Sequence, residues 1–132
     1  MSSPFSFSCD RIPKDAEDQI EAAMGASQAL KSVHGTDFKV GNLCSTLYPG
    51  PGNVLDWMYV REGIKYSYVA HLRDTGTVHF ILYLYFTTLT YNETFKYGFS
   101  LPEKWIRPTG EETSRLLDYL ARFIARQTNS TS

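Results

Sequence analysis

The chain has 132 residues, with 13 Lys and Arg against 14 Asp and Glu, 42% apolar and 14% aromatic residues, and a formal charge of -1. Such a make-up describes about one globular domain and excludes collagenous, coiled-coil and strongly disordered polymers. Both signs of charge are spread along the chain without a basic block, so no electrostatic footprint for a nucleic acid or an anionic membrane surface is present.

Met1-Ser2-Ser3 leads directly into Pro4-Phe5-Ser6-Phe7, with no cationic region followed by an apolar stretch. No signal peptide is visible, and the expectation is either a cytosolic protein or a start that lies further upstream. Cys9 and Cys44 are too few for a disulfide-dense miniprotein and are not spaced as a zinc ribbon or a CxxC pair, which leaves one structural disulfide or two buried thiols. After the loop ending at Pro13, the segment Asp15 to His34 places Ala16, Ile20, Ala23, Met24, Ser27 and Leu30 at spacings of three and four. That period predicts an amphipathic helix over 15–34. Acids at its start (Asp15, Glu17, Asp18) and Lys31 followed by Gly35 at its end suit the helix dipole and the caps.

Leu43 to Asn53 carries Pro49-Gly50-Pro51-Gly52 and reads as an exposed loop, because neither a helix nor a central strand tolerates that run. Val54 to Glu62 predicts a short helix ended by Gly63. In the next segment Ile64, Tyr66, Tyr68, Ala70 and Leu72 alternate with the other residues, and the β-branched and aromatic content predicts a strand over 64–72. Val78 to Leu89 is the longest apolar stretch, but it holds a His and two Thr and is well short of the roughly 20 residues of a membrane-spanning helix. Thr109-Gly110-Glu111-Glu112 has the spacing of a capping box and predicts a helix over 110–126, with Leu116, Leu117, Leu120, Phe123 and Ile124 as its apolar stripe. Gln127 to Ser132 reads as a polar tail. The arrangement is α/β, but one strand cannot make a sheet alone, so residues 4–126 read as part of a domain.

Four blocks now gain meaning from their order: Asp56-Trp57, Gly63-Ile64-Lys65-Tyr66-Ser67, Leu72-Arg73-Asp74-Thr75-Gly76 and Tyr97-Gly98-Phe99-Ser100-Leu101-Pro102. Together they resemble the C-terminal third of the zinc carboxypeptidases of the A/B type, and the similarity runs from near Pro4 to Ile124. Several long blocks in sequence are far more specific than a lone short motif. The resemblance implies a mixed sheet flanked by helices. It also implies an enzyme that removes a C-terminal residue with a zinc held by two His and one Glu, and with a second Glu as general base. The three histidines here, His34, His71 and His79, show no His-x-x-Glu ligand motif. By the order of blocks the zinc ligands belong upstream of Met1. A catalytic zinc needs about three protein ligands, so this chain alone is expected to bind none.

At the base the sequence departs from the family. Where the resemblance calls for Glu immediately before Leu-Arg-Asp-x-Gly, this chain has His71. A base that takes a proton from zinc-bound water must sit at hydrogen-bond distance with a matched pKa. Imidazole differs in reach, and its protonated form is repelled by a divalent cation. His71 therefore reads as a mark of lost catalysis, with an alternative base as the competing reading. The resemblance gives Tyr48 the role of the tyrosine that closes over a bound peptide C-terminus; the plainer reading is a ring packed on its own Pro-Gly loop. Leu55 falls at the floor of the side-chain pocket, where an apolar residue argues against preference for C-terminal Lys or Arg. Leu43 and Val69 would line the same pocket or serve the core. Arg73-Asp74 reads as structural, fixing the loop after the strand by ion pairs.

Within the family, the replaced glutamate, the cysteine pair and Pro108-Thr109-Gly110-Glu111-Glu112 most resemble the fungal inactive metallocarboxypeptidase-like proteins of cell-wall organisation, although those more typically carry Lys at the glutamate position. Membership implies a secretory or vacuolar route on which a Cys9–Cys44 disulfide would survive, and a peptide or protein C-terminus as partner. The competing function is a piece of an active zinc metallocarboxypeptidase. A truncated product without independent function is the third.

One segment breaks the family pattern. The resemblance runs from Asp-Thr-Gly through one residue to Tyr-Gly-Phe, whereas here Val78 to Lys96 separates Thr77 from Tyr97, and its deletion restores Thr77-Tyr97-Gly98-Phe99. Every Val codon begins with GT and one Lys codon ends in AG, so 78–96 reads as an intron retained in frame; a genuine β-hairpin insertion is the alternative. The run is apolar, β-prone and uncharged up to Glu93, which makes it an aggregation hazard. The sequons Asn92-Glu93-Thr94 and Asn129-Ser130-Thr131 carry no function here.

Overall fold

The computed structural model describes residues 1–72 and 102–130. The 78–96 segment, His79, Arg73-Asp74 and the Tyr97 to Leu101 block lie outside the described residues. Two long helices form the body. Helix α1 spans Ala16–His34, and the second, α4, spans Glu103–Ser130 at the other end of the chain. The start of α1 is made by main-chain bonds alone, Ala16 N-H donating to the Pro13 carbonyl at 3.1 Å and Gln19 N-H to that of Asp15 at 3.0 Å. Its end is set by Gly35, whose φ of 76° opens the left-handed region that lets its N-H turn back to the Lys31 carbonyl at 2.7 Å. The expected helix over 15–34 is therefore present, but its buried face is turned from the expected one. Gln19, Ala22, Ala23, Ala26 and Leu30 point inward, while Ile20 and Met24 are 40% and 51% exposed. Close packing is the reason. Small residues let the backbones of α1 and its neighbour approach, and Gln19 earns its burial by donating from Nε2 to the Lys65 carbonyl at 2.7 Å.

In chain order two short strands flank α1. Strand β1, Ser2–Ser3, pairs in parallel with β2, Gly41–Asn42, in the register Ser2 to Gly41 and Ser3 to Asn42. The strand expected over 64–72 is reduced to one antiparallel bridge, between Val69 and Ser2. A ladder needs neighbours, and β1 offers only two residues, whose other edge is already given to β2.

The loop expected over Leu43 to Asn53 also needs correcting at its start, where α2 forms one turn over Leu43–Thr46. Asn42 initiates it, its side-chain oxygen accepting from Ser45 N-H at 2.9 Å. Helix α3, Val54–Val60, matches the expected short helix; Asn53 caps it and Gly63, with φ 67°, turns the chain away.

Helix α4 spans Glu103–Ser130, so the capping box expected at Thr109 is not one. The helix runs through Pro108, and Thr109 Oγ1 is buried without a hydrogen-bond partner. Glu112, 1% exposed, instead accepts a 2.8 Å bond from Thr36 Oγ1. A Thr-x-x-Glu spacing is also one turn of helix interior, and here tertiary partners claimed it. The helix likewise continues through the first residues of the expected polar tail. Its inner side and α1 share the core of Met1, Ala23, Ala26, Leu30 and Leu116, with Phe38, Val40, Tyr68, Tyr119 and Leu120 around it. Leu117, expected in the stripe, is exposed. No helix among the described residues is long and apolar enough to cross a membrane.

Candidate functional site

Segment 2–7 is the spine to which every candidate residue is tied. Ser2 N-H donates to the Val69 carbonyl at 2.8 Å and Val69 N-H donates back at 2.9 Å, which fixes the stretch that ends in His71. The Ser2 hydroxyl lies 2.8 Å from that of Thr46, so α2 and Leu43 are held beside the same strand. Further along, the Ser6 carbonyl accepts from Gly50 N-H at 2.8 Å, two residues beyond Tyr48. Finally, the main-chain N-H groups of Ser6 and Phe7 donate to the Asp56 carboxylate at 2.9 to 3.2 Å, at the start of α3 next to Leu55. The disulfide Cys9–Cys44, with Cα atoms 5.2 Å apart, links the end of this spine to α2.

The five residues drawn from the resemblance thus sit on segments tied to the one stretch 2–7, though in different states. Tyr48 is 47% exposed on its loop, whereas Leu43 and Leu55 are buried at 5% and 1%. Val69 and His71 are half-buried. An exposed phenol beside a Pro-Gly turn can donate or accept a bond to an arriving ligand. His71 is in a different electrostatic position. Burial, and behind it the Met1 ammonium, hold its imidazole below the ordinary 6.5, because both disfavour the charged form. It is accordingly a neutral group near pH 7 and a weaker proton acceptor than a free imidazole.

Nothing in the residue pattern singled out Ser2 and Ser6, since small polar residues near a chain start carry no spacing signal. Asp56 was visible as part of a motif but had no role; an acid in the first turn of a helix reads as a dipole partner. Beside the same turn, Phe7, Gly52, Asn53, Val54, Trp57 and Val60 line a shallow open groove.

The described residues do not fit a zinc centre. Among the described residues no three His, Cys, Asp or Glu side chains converge. Both cysteines are joined in the disulfide, and His34 Nε2, at the end of α1, is engaged with Glu111 at 3.2 Å.

Comparison with known proteins places this geometry. The zinc carboxypeptidase family matches residues 1–115. Carboxypeptidase A2 of Mus musculus is 41% identical over 110 residues, 83% of this chain and 21% of that protein. Carboxypeptidase B of Astacus astacus is 36% identical over 121 residues, 92% of this chain and 33% of that protein. Metallocarboxypeptidase A of Arthroderma otae is 40% identical over 112 residues, 84% of this chain and 22% of that protein. In three dimensions the chain is similar to bovine thrombin-activatable fibrinolysis inhibitor, solved in complex with tick carboxypeptidase inhibitor, with a TM-score of 0.75 and 31% identity over 96% of this chain and 36% of that one. The chain spans between a fifth and a third of the length of these curated relatives, and its fold is a C-terminal piece of the carboxypeptidase α/β architecture. The chain belongs to the zinc carboxypeptidase family.

Proposed function

We propose that this chain is the chain-end-binding part of a metallocarboxypeptidase-like protein that holds peptide C-termini without cleaving them and acts in cell-wall organisation on a secretory or vacuolar route. One observation carries the loss of catalysis: the position before Leu72-Arg73-Asp74-Thr75-Gly76 is an imidazole, His71, whose surroundings lower its pKa. A general base works best with a pKa near the operating pH. Burial moves His71 away from that match, and a half-buried ring has none of a carboxylate's two acceptor oxygens to hold zinc-bound water. The retained parts favour binding. Tyr48 is exposed on an anchored loop, and Leu55, buried at 1%, stands where the resemblance puts the floor of a side-chain pocket, an apolar residue that would suit apolar chain ends over Lys or Arg. The Cys9–Cys44 bond supports an oxidising compartment.

The second reading, part of an active carboxypeptidase with His71 as a substitute base, is favoured by the names of the three curated relatives given above, each a carboxypeptidase. Peptide turnover by the full-length gene product with zinc, compared with its His71→Glu variant, separates the two. We also infer that Val78 to Lys96 is translated intron, since its removal restores the family pattern without a gap.

A further inference from the structure

We infer that Asp56 is a positioning residue for the Tyr48 loop: its buried carboxylate holds Ser6, and Ser6 holds the turn at Gly50 that follows Tyr48. The inference rests on the chain-end-binding reading only for its consequence on binding; the clamp itself is a matter of hydrogen bonds. Asp56 is 8% exposed. Its two oxygens accept from Ser6 N-H at 2.9 and 3.0 Å and from Phe7 N-H at 3.2 Å. The single proton of the Ser6 hydroxyl bridges Asp56 Oδ2 and the Gly50 carbonyl, 2.8 Å away. Bonds from N-H groups to a carboxylate are among the stronger neutral-to-charged contacts, and a buried carboxylate stripped of them is costly.

The ordinary role for an acid at this place would be to cap α3, but Asn53 already does so, its side chain accepting from Leu55 N-H at 2.9 Å. The carboxylate is turned instead to a segment fifty residues away in sequence. On the other flank of the loop, Leu47 N-H donates to the Leu43 carbonyl at 2.9 Å and Cys44 is tied to Cys9. Tyr48 and Pro49 thereby form a short arm between two fixed points. Because Asp56 follows Leu55 directly, the clamp sets how the Tyr48 arm stands relative to Leu55, and so which chain ends the loop can close upon.

Hydrogen exchange on the full chain tests the clamp, with the Gly50 amide as reporter and the Ala26 amide of α1 as control, since local opening and global unfolding expose different amides. Asp56→Asn is expected to speed Gly50 exchange at least tenfold while Ala26 changes less than threefold. Ser6→Ala, which keeps the Ser6 N-H bonds but removes the bridging proton, is expected to give a smaller change of the same kind, and it serves if Asp56→Asn does not fold. An unchanged Gly50 rate, or Gly50 and Ala26 rising together, overturns the inference. A short peptide ending in a free C-terminal leucine provides the second readout. Asp56→Asn should weaken its binding several-fold in the parent chain and not at all in a Tyr48→Ala background, as expected of a residue acting through another. If Tyr48→Ala itself binds the peptide as the parent does, the chain-end reading falls, while the exchange rates still decide the clamp.

Discussion

His71 shows how one side chain carries both a functional and a stability signal. Its folded pKa lies below 6.5, so just below that pH the unfolded chain binds more protons than the folded one. The stability it contributes is complete above about pH 6.5 and is lost as the pH falls through the folded value. Thermal melts from pH 8 to pH 5 should therefore decline on the acid side, and His71→Gln should flatten that decline below pH 6.5. The Met1 ammonium, lowered from 8.0 to about 6 by burial, has the same sign but acts at higher pH and remains in the variant. Equal acid slopes in both proteins would contradict the burial of the ring. That an imidazole directly precedes Leu72-Arg73-Asp74-Thr75-Gly76 is readable from the chain. Its environment is not, since burial depends on Ser2 pairing with Val69 across the fold.

Among the elements, α1 and α4 were legible where local chemistry rules and misread where packing rules. The end of α1 at Gly35 follows from backbone freedom alone, and sequence and structure agree there. Its inner face does not follow from hydrophobicity, because the larger Ile20 and Met24 are left outside while alanines are taken in. The start of α4 fails for a related reason: Pro108 looks like a stop and Thr109 like a cap until Thr36 and the rest of the fold supply partners for Glu112. Gly25 gives a direct test of the close approach. A Cβ there would overlap the ring and hydroxyl of Tyr119, whose ring stacks at 6.2 Å on Phe123. Gly25→Ala gains about 1 kcal/mol of helix propensity but overpacks by about 1 to 3 kcal/mol. Urea denaturation should show a net loss, and in a Tyr119→Ala background the same change should become stabilising. A gain in the parent chain would contradict the packing of α1 on α4.

At the scale of the molecule, the described residues read as one side of a larger architecture. The chain spans a fifth to a third of its relatives' length. Val54, Trp57, Val60, Ile106 and Leu117 stand exposed, and the segment with the clearest strand pattern finds one bridge to pair with. The Cys9–Cys44 bond, closing a sequence separation of 35, contributes about 3 to 4 kcal/mol by restricting the unfolded chain. The α/β class and the family were legible because several motif blocks keep their order. The spine at Ser2 to Phe7 was not, because its bonds reach residues from about forty to nearly seventy positions away. For 78–96, sequencing of mature transcripts should find messages in which Thr77 is joined directly to Tyr97; messages that always retain the segment would overturn the intron reading.

The most direct test of the central claim is peptide turnover by the full-length gene product in the presence of zinc, on substrates with free and with amidated C-termini. The parent protein and His71→Ala should both be inert on the free substrate, and His71→Glu should gain release of the C-terminal residue that amidation blocks. Turnover by the parent protein that His71→Ala abolishes would contradict the account.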